Sequence, residues 1–261
     1  MGFCDCHCHL DDPSFDGERP QLLSRCLRAG VTTLVTVADP YEEESLAKTL
    51  ELDSAYAEIA TMVAAHPHRA AQYSPQVERR IFHFVSRTSP LGIGEAGLDF
   101  HYHYSPPDDQ RRVFRRQLAI ASELRLPVAI HSREAEKEIL DILVEVGFRQ
   151  PVIFHCFTGD MDAAREIVSR GYFISFSGIV TFKKAESLRR VAETVPLGQL
   201  LTETDSPYLA PEPHRGQTNN PGLVRIVAAA LAQLRGIGLE ELTAAVEANV
   251  GRLRQAARLA T

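Results

Sequence analysis

The sequence predicts a (β/α)8 TIM barrel with extra C-terminal helices. Eight strand-like runs alternate with helical stretches, glycines punctuate the passage from helix to strand, and imidazole or acidic side chains stand where apolar runs stop. The runs are Phe3–Cys6, Val31–Val37, Ile59–Ala65, Leu91–Ala96, Pro127–Ile130, Val152–Phe154, Tyr172–Phe176 and Leu200–Thr204. Several are apolar almost throughout, as in Val152-Ile153-Phe154, the pattern of strands buried on both faces.

The intervening stretches read as helices with polar faces. Val113, Phe114, Leu118, Ala121 and Leu124 form one apolar stripe, while Arg111, Arg112, Arg115 and Arg116 fall mostly elsewhere. Gly30, Gly147 and Gly171 each follow a helical run and precede a strand, where a helix C-cap belongs. Pro207 to Pro221 reads as a long loop, and two or three helices follow from Gly222. No Gly-x-Gly-x-x-Gly or Walker loop opens a helix after the first strand, so no dinucleotide cofactor is expected.

A chain of 261 residues fits one TIM-barrel domain, residues 1–261, without dividing. With 44% hydrophobic and 24% charged residues, it has the composition of a soluble globule with a sizeable core. It contains no apolar run of roughly 18 residues, so neither a transmembrane helix nor a membrane partner is expected. The N-terminus has no basic region followed by an apolar stretch, and no signal peptide is inferred. Five cysteines, an odd number, suit a reducing cytosol better than a disulfide framework, and a cytoplasmic location follows. The formal charge of −6 argues against a broad grip on duplex nucleic acid. A nucleic-acid substrate would have to be held locally, at an end or as a single strand.

His7 and His9 are two apart on an extended segment, so both imidazoles point to one side, and Asp5 shares it. The same parity turns Cys4, Cys6 and Cys8 toward the surrounding helices. Those cysteines therefore read as buried, inert thiols rather than as a soft-metal site. A single His at a strand end is usually a hydrogen-bonded core residue. Here His7, His9, His131 and His155, with Glu95 and Asp205, recur at strand ends that a barrel brings to one rim. Six ligands exceed what one tetrahedral ion with an open position needs, and a two-metal site with a bridging carboxylate follows.

Five motifs carry a resemblance: Asp5-Cys6-His7-Cys8-His9-Leu10, Gly94-Glu95-Ala96-Gly97-Leu98-Asp99-Phe100, His131-Ser132-Arg133, Phe154-His155-Cys156-Phe157-Thr158-Gly159 and Glu203-Thr204-Asp205-Ser206-Pro207-Tyr208-Leu209. In order and spacing the chain resembles the TatD family of metal-dependent deoxyribonucleases, within the amidohydrolase superfamily. The resemblance runs from the first strand through Arg215-Gly216-Gln217-Thr218-Asn219-Asn220-Pro221. It implies that His7, His9 and Asp205 hold one divalent ion, that His131 and His155 hold a second, and that Glu95 bridges them. It further implies that Asp205 is the general base. Many superfamily relatives bridge with a modified lysine; this chain has none near that strand end, so Glu95 takes the role directly. The family usually reads Asn-x-Pro with an acidic middle residue. Asn219-Asn220-Pro221 departs from that, so no carboxylate partner is carried over there.

Other positions keep two readings. Glu203 shares the parity of Asp205 and is either a partner that orients a ligand or a buried carboxylate satisfied by barrel hydrogen bonds. Arg133 and Arg215 fit a phosphate through a planar fork, against a helix-start salt bridge and a solvated loop residue, respectively. His66, in the family-like His66-Pro67-His68, either contacts substrate or sits in a proline-fixed turn. His101 and His103 alternate with Tyr102 and Tyr104, which either stack on splayed bases or cover the rim.

The reading that follows is a metal-dependent hydrolase of DNA phosphodiester bonds, a 3′–5′ exonuclease on single-stranded ends, working as a monomer or weak oligomer. Imidazole-rich ligation suits Zn, Mn or Fe, while carboxylates also admit Mg. The alternative is an acyl, amide or ester hydrolase such as an aminoacyl-tRNA deacylase. A third reading, metals serving structure alone, fits poorly with open coordination positions and an intact Asp205.

Overall fold

The computed structural model describes residues 2–258. Eight strands stand in one sheet in the order β1-β2-β3-β4-β5-β6-β7-β8 and alternate with helices, which is the (β/α)8 class with helices added at the C-terminal end. Two compact units make up the chain. One comprises the chain up to Thr36 with Cys156–Arg252, and the other Val37–His155 with the chain from Leu253. Among the described residues, no single helix is long and apolar enough to cross a membrane.

The first unit holds β1 (Phe3–Cys8), α1 (Arg19–Arg28), most of β2 (Val31–Ala38), α6 (Met161–Ser169), β7 (Phe173–Phe176), α7 (Glu186–Thr194), β8 (Leu200–Thr202), α8 (Val224–Arg235) and most of α9 (Leu239–Arg258). Strand β1 runs parallel to β2, from Phe3 opposite Val31 to Cys8 opposite Thr36. Cys4, Cys6 and Cys8 are all buried and form no disulfide. Burial pushes the Cys6 and Cys8 thiols well above the usual range, so they stay protonated and unreactive, as their strand parity predicts. The long loop after β8 is pinned by buried Asn219, whose amide donates to the carbonyls of Thr204 and Tyr208 at 2.9 and 2.6 Å.

The second unit holds α2 (Glu43–Ala55), β3 (Ile59–Val63), α3 (Pro75–Arg87), β4 (Gly92–Asp99), α4 (Pro107–Glu123), β5 (Val128–Arg133), α5 (Glu136–Glu145) and β6 (Val152–Phe154). Four of the five residues of the α4 stripe, Val113, Phe114, Leu118 and Ala121, are buried as the periodicity predicts, while Leu124 caps the helix and is half-buried. Its arginines pair outward, Arg116 with Glu78 and Arg111 with Glu138. Gly97 explains the glycine in the Glu-Ala-Gly-Leu-Asp run. Its φ is +149°, and a Cβ there would lie 2.1 Å from the His131 carbonyl oxygen, so only glycine lets β4 close on β5 beside His131. Gly30, Gly147 and Gly171 have φ of 89°, 63° and 78°, the left-handed geometry expected after a helix.

Strand limits differ from the sequence expectation in an informative way. Strands β1, β4 and β5 continue to Cys8, Asp99 and Arg133, where the apolar runs end at Cys6, Ala96 and Ile130. In β4 and β5 the added residues bring Asp99 Oδ2 to 2.9 Å from His131 Nε2, a polar pair held within the ladder. Strand β8 is shorter than expected and ends at Thr202. Beyond it, the Asp5 carboxylate takes the Thr204 N–H at 2.8 Å and the Thr204 hydroxyl at 2.6 Å, replacing ladder bonds.

Candidate metal centre

In the first unit, His7 and His9 leave the end of β1, and the segment after β8 is laced to them through the backbone. Asp205 N–H donates to the His7 carbonyl at 2.9 Å, and His9 N–H donates to the Ser206 carbonyl at 2.8 Å. Asp205 itself has φ of +55°, a conformation Asp tolerates better than most residues. The result aims both imidazoles at one acceptor: Nε2 of His7 and of His9 lie 3.9 and 3.4 Å from the same Asp205 Oδ1. Underneath, Asp5 is fully buried. Burial, reinforced by the charge of Glu203, pushes it well above the ordinary carboxylate range even though Thr204 donates to it twice. Asp5 thus fixes the Thr204-Asp205 segment against β1. Glu203, also buried, accepts the Cys156 N–H at 2.7 Å and so holds the backbone immediately after His155, where φ is +42°.

In the second unit the convergence is tighter. His131 Nδ1 and His155 Nε2 each lie 2.6 Å from one atom, Glu95 Oε1, and His66 Nε2 is 3.3 Å from it. Burial alone would raise the Glu95 pKa; the charges of His155 and His66, with hydrogen bonds from His131 and His155, hold it well below the usual range. The His66 imidazole is pushed down to about 4, first by burial, so it is neutral near pH 7. Its Nδ1 accepts the His68 N–H at 3.1 Å, which leaves the proton on Nε2, facing Glu95.

Asp99, which the sequence reading passes over, organises this cluster. Its Oδ1 accepts the backbone N–H of His101 and Tyr102 at 3.0 and 2.7 Å. Its Oδ2 faces His68 Nε2 at 2.7 Å and His131 Nε2 at 2.9 Å. Burial would raise this carboxyl, but the donors from His131, Tyr102 and His68 hold it well below its ordinary value. As an ionised acceptor, Asp99 obliges His131 to carry a proton on Nε2, which turns Nδ1 toward Glu95. His131 lies between two carboxylates. Burial pulls its pKa down, but Asp99 and Glu95 outweigh this and raise it. The available signal was parity: Glu95, Gly97 and Asp99 alternate along β4, and extending the strand through Leu98-Asp99 puts Asp99 on the face of Glu95.

The donor set fits divalent cations. Two groups in this unit, His66-Glu95-His131 and His68-Asp99-His131, bring one ligand atom from each residue within 4.8 Å of one another. Imidazole nitrogens that converge on a carboxylate oxygen, with a second carboxylate holding the far nitrogen of one ring, form the carboxylate–histidine arrangement that supports metal ligation. The remaining candidates sit apart from these contacts. Arg133 ends β5, two residues from His131 and on the same strand face by alternation. Arg215 is exposed in the long loop with its guanidinium 3.8 Å from the centre of the Phe182 ring.

A (β/α)8 scaffold bearing His, Asp and Glu clusters at strand ends defines the class of metal-dependent hydrolases. Within it, the chain belongs to the family of TatD-related DNases, whose model matches residues 4–255. It is 34% identical over 250 residues to the metal-dependent hydrolase YabD of Bacillus subtilis, covering 95% of this chain and 97% of that protein. Its identity to the 3′–5′ ssDNA/RNA exonuclease TatD of Citrobacter koseri is 32% over 251 residues, covering 94% and 96%. The crystal structure of YJJV, a TatD homologue from Escherichia coli, superposes with a TM-score of 0.89 at 30% identity, covering 96% of this chain and 97% of that one.

Proposed function

We propose that this chain is a metal-dependent exonuclease that removes nucleotides from the 3′ ends of single-stranded DNA, acting as one cytoplasmic catalytic domain. The observation that most supports the reading is the approach of His131 Nδ1 and His155 Nε2 to the single oxygen Glu95 Oε1 in a chain of this family. The name borne by the Citrobacter koseri relative supports the substrate and polarity. The formal charge of −6 favours an end or a single strand over a duplex.

In this reading His7, His9 and Asp205 would hold one ion, His131 and His155 a second, and Glu95 would bridge. The imidazole content favours Zn or Mn over Mg. What the ions supply when bound is polarisation of phosphoryl oxygens and acidification of water. Asp205 accepts the proton of the attacking water. Neutral His66 offers its Nε2–H to a phosphoryl oxygen, and Asp99 keeps His131 in the tautomer that presents Nδ1. Arg133 and Arg215 supply guanidinium forks for phosphates further along the strand.

The test is a turnover screen of the metal-loaded protein on 5′-labelled single-stranded DNA, duplex DNA, RNA and aminoacyl-tRNA. Stepwise shortening of the single strand from its 3′ end is expected. Deacylation of aminoacyl-tRNA with no shortening of any oligonucleotide would replace this reading with acyl hydrolysis.

A further inference from the structure

Among the described residues the large exposed apolar side chains are Tyr102, Tyr104, Val144, Val146 and Tyr208. Two of these tyrosines form one feature. The rings of Tyr102 and Tyr104 are stacked, 5.7 Å between centroids at an interplanar angle of 14°, and they remain 45% and 67% exposed. Tyr104 stands edge-on to His68 at 4.8 Å, and His68 stands edge-on to His131 at 5.6 Å. A continuous run of rings therefore leads from a candidate metal ligand to an open aromatic face.

This segment is fixed at both ends. At one, Asp99 accepts the N–H of His101 and of Tyr102. At the other, the buried Ser105 hydroxyl donates to the His68 carbonyl at 2.8 Å, and Gln110 donates to the Ser105 carbonyl at 2.9 Å. A loop so anchored that still leaves two large rings in water is preorganised to receive a flat partner. The electrostatics point the same way. A protein of formal charge −6 has no net attraction for a polyanion beyond local Arg–phosphate contacts, whereas ring-on-base stacking needs no net charge.

We propose that Tyr102 and Tyr104 form a nucleobase-stacking platform that seats bases of the single-stranded end whose phosphates approach the His66-Glu95-His131 cluster. The inference rests on the nuclease reading above and adds what gives it preference for unpaired bases: a base within a duplex has both faces covered and cannot lie on the pair.

The experiment uses the metal-loaded full chain and two 5′-labelled single strands, one with thymidine at its last two positions and one abasic there. For the Tyr102→Ala/Tyr104→Ala double variant, the KM on the thymidine strand should rise by roughly ten-fold or more. Its kcat and its KM on the abasic strand should stay unchanged, and the double Phe variant should keep wild-type values. The chain has seven Tyr and no Trp, so tyrosine emission reports directly. A phosphorothioate-linked thymidine strand should quench wild type more than the double Ala variant. If the wild type shortens the thymidine strand and the double Ala variant matches it in KM and in quenching, the platform is refuted and the nuclease reading stands. If the wild type shortens neither strand, the nuclease reading fails, and absence of quenching then refutes the platform too.

Discussion

Asp99→Asn isolates the control that one carboxylate exerts over a candidate ligand. The substitution is nearly isosteric at a side chain that is essentially fully buried, and the amide oxygen can still accept the N–H groups of His101 and Tyr102. The new NH2 then faces His68 Nε2 and His131 Nε2, at positions 2.7 and 2.9 Å from the present Oδ2. An amide nitrogen only donates, so His131 must give up its Nε2 proton and keep the one on Nδ1, the atom that faces Glu95. Nδ1 then has no lone pair for a cation. Removal of such a carboxylate behind a ligating His weakens metal affinity by about 10–100-fold, or about 1.4–2.7 kcal/mol. Titration calorimetry with Zn or Mn measures the loss, and 15N spectra of the imidazoles report the tautomer. An affinity within two-fold of wild type, with His131 still protonated on Nε2, would refute the reasoning.

Four further outcomes follow from the same geometry. Glu95→Gln should remove the shared oxygen and abolish hydrolysis with the fold intact, read by metal analysis beside circular dichroism; near-normal turnover would contradict the bridging role. Asp205→Asn should lower kcat by about 10²–10⁴-fold through loss of the base, and equal kcat in both proteins would remove Asp205 from proton transfer. Metal affinity should rise with pH through and above the ordinary His value of 6.5, because a cation must displace the proton of His131, whose pKa is raised. In the ion-free protein that same proton stabilises the fold fully below 6.5, and its contribution fades as pH rises through the raised value; affinity that does not change with pH would count against His131 as a ligand. Gly97→Ala should destabilise by about 4 kcal/mol, from positive φ and overpacking against the His131 carbonyl, and thermal unfolding should register a drop of roughly 10 °C.

The alternation of apolar runs with striped helices, and the glycines that close those helices, were legible because burial and backbone handedness act locally. Every strand run found in the sequence overlaps an observed strand. The shared face of His7 and His9 was legible for a related reason, because period-two geometry sends alternate side chains to one side, whereas the grouping of Asp205 with them came from the family resemblance; the two imidazoles lie 3.9 and 3.4 Å from one Asp205 oxygen. Asp99 was not legible. Its role comes from four donors, two on its own loop and two from His68 and His131, which lie 31 and 32 positions away. Nothing in the run Leu98-Asp99-Phe100 records them. Glu203 was left between two readings because choosing needed the position of the Cys156 N–H, 47 residues distant. Local sequence thus determined which elements form and which faces carry polar groups. Tertiary structure alone decided which carboxylate meets which imidazole, and so where each proton rests, because hydrogen bonds depend on distances that only packing sets.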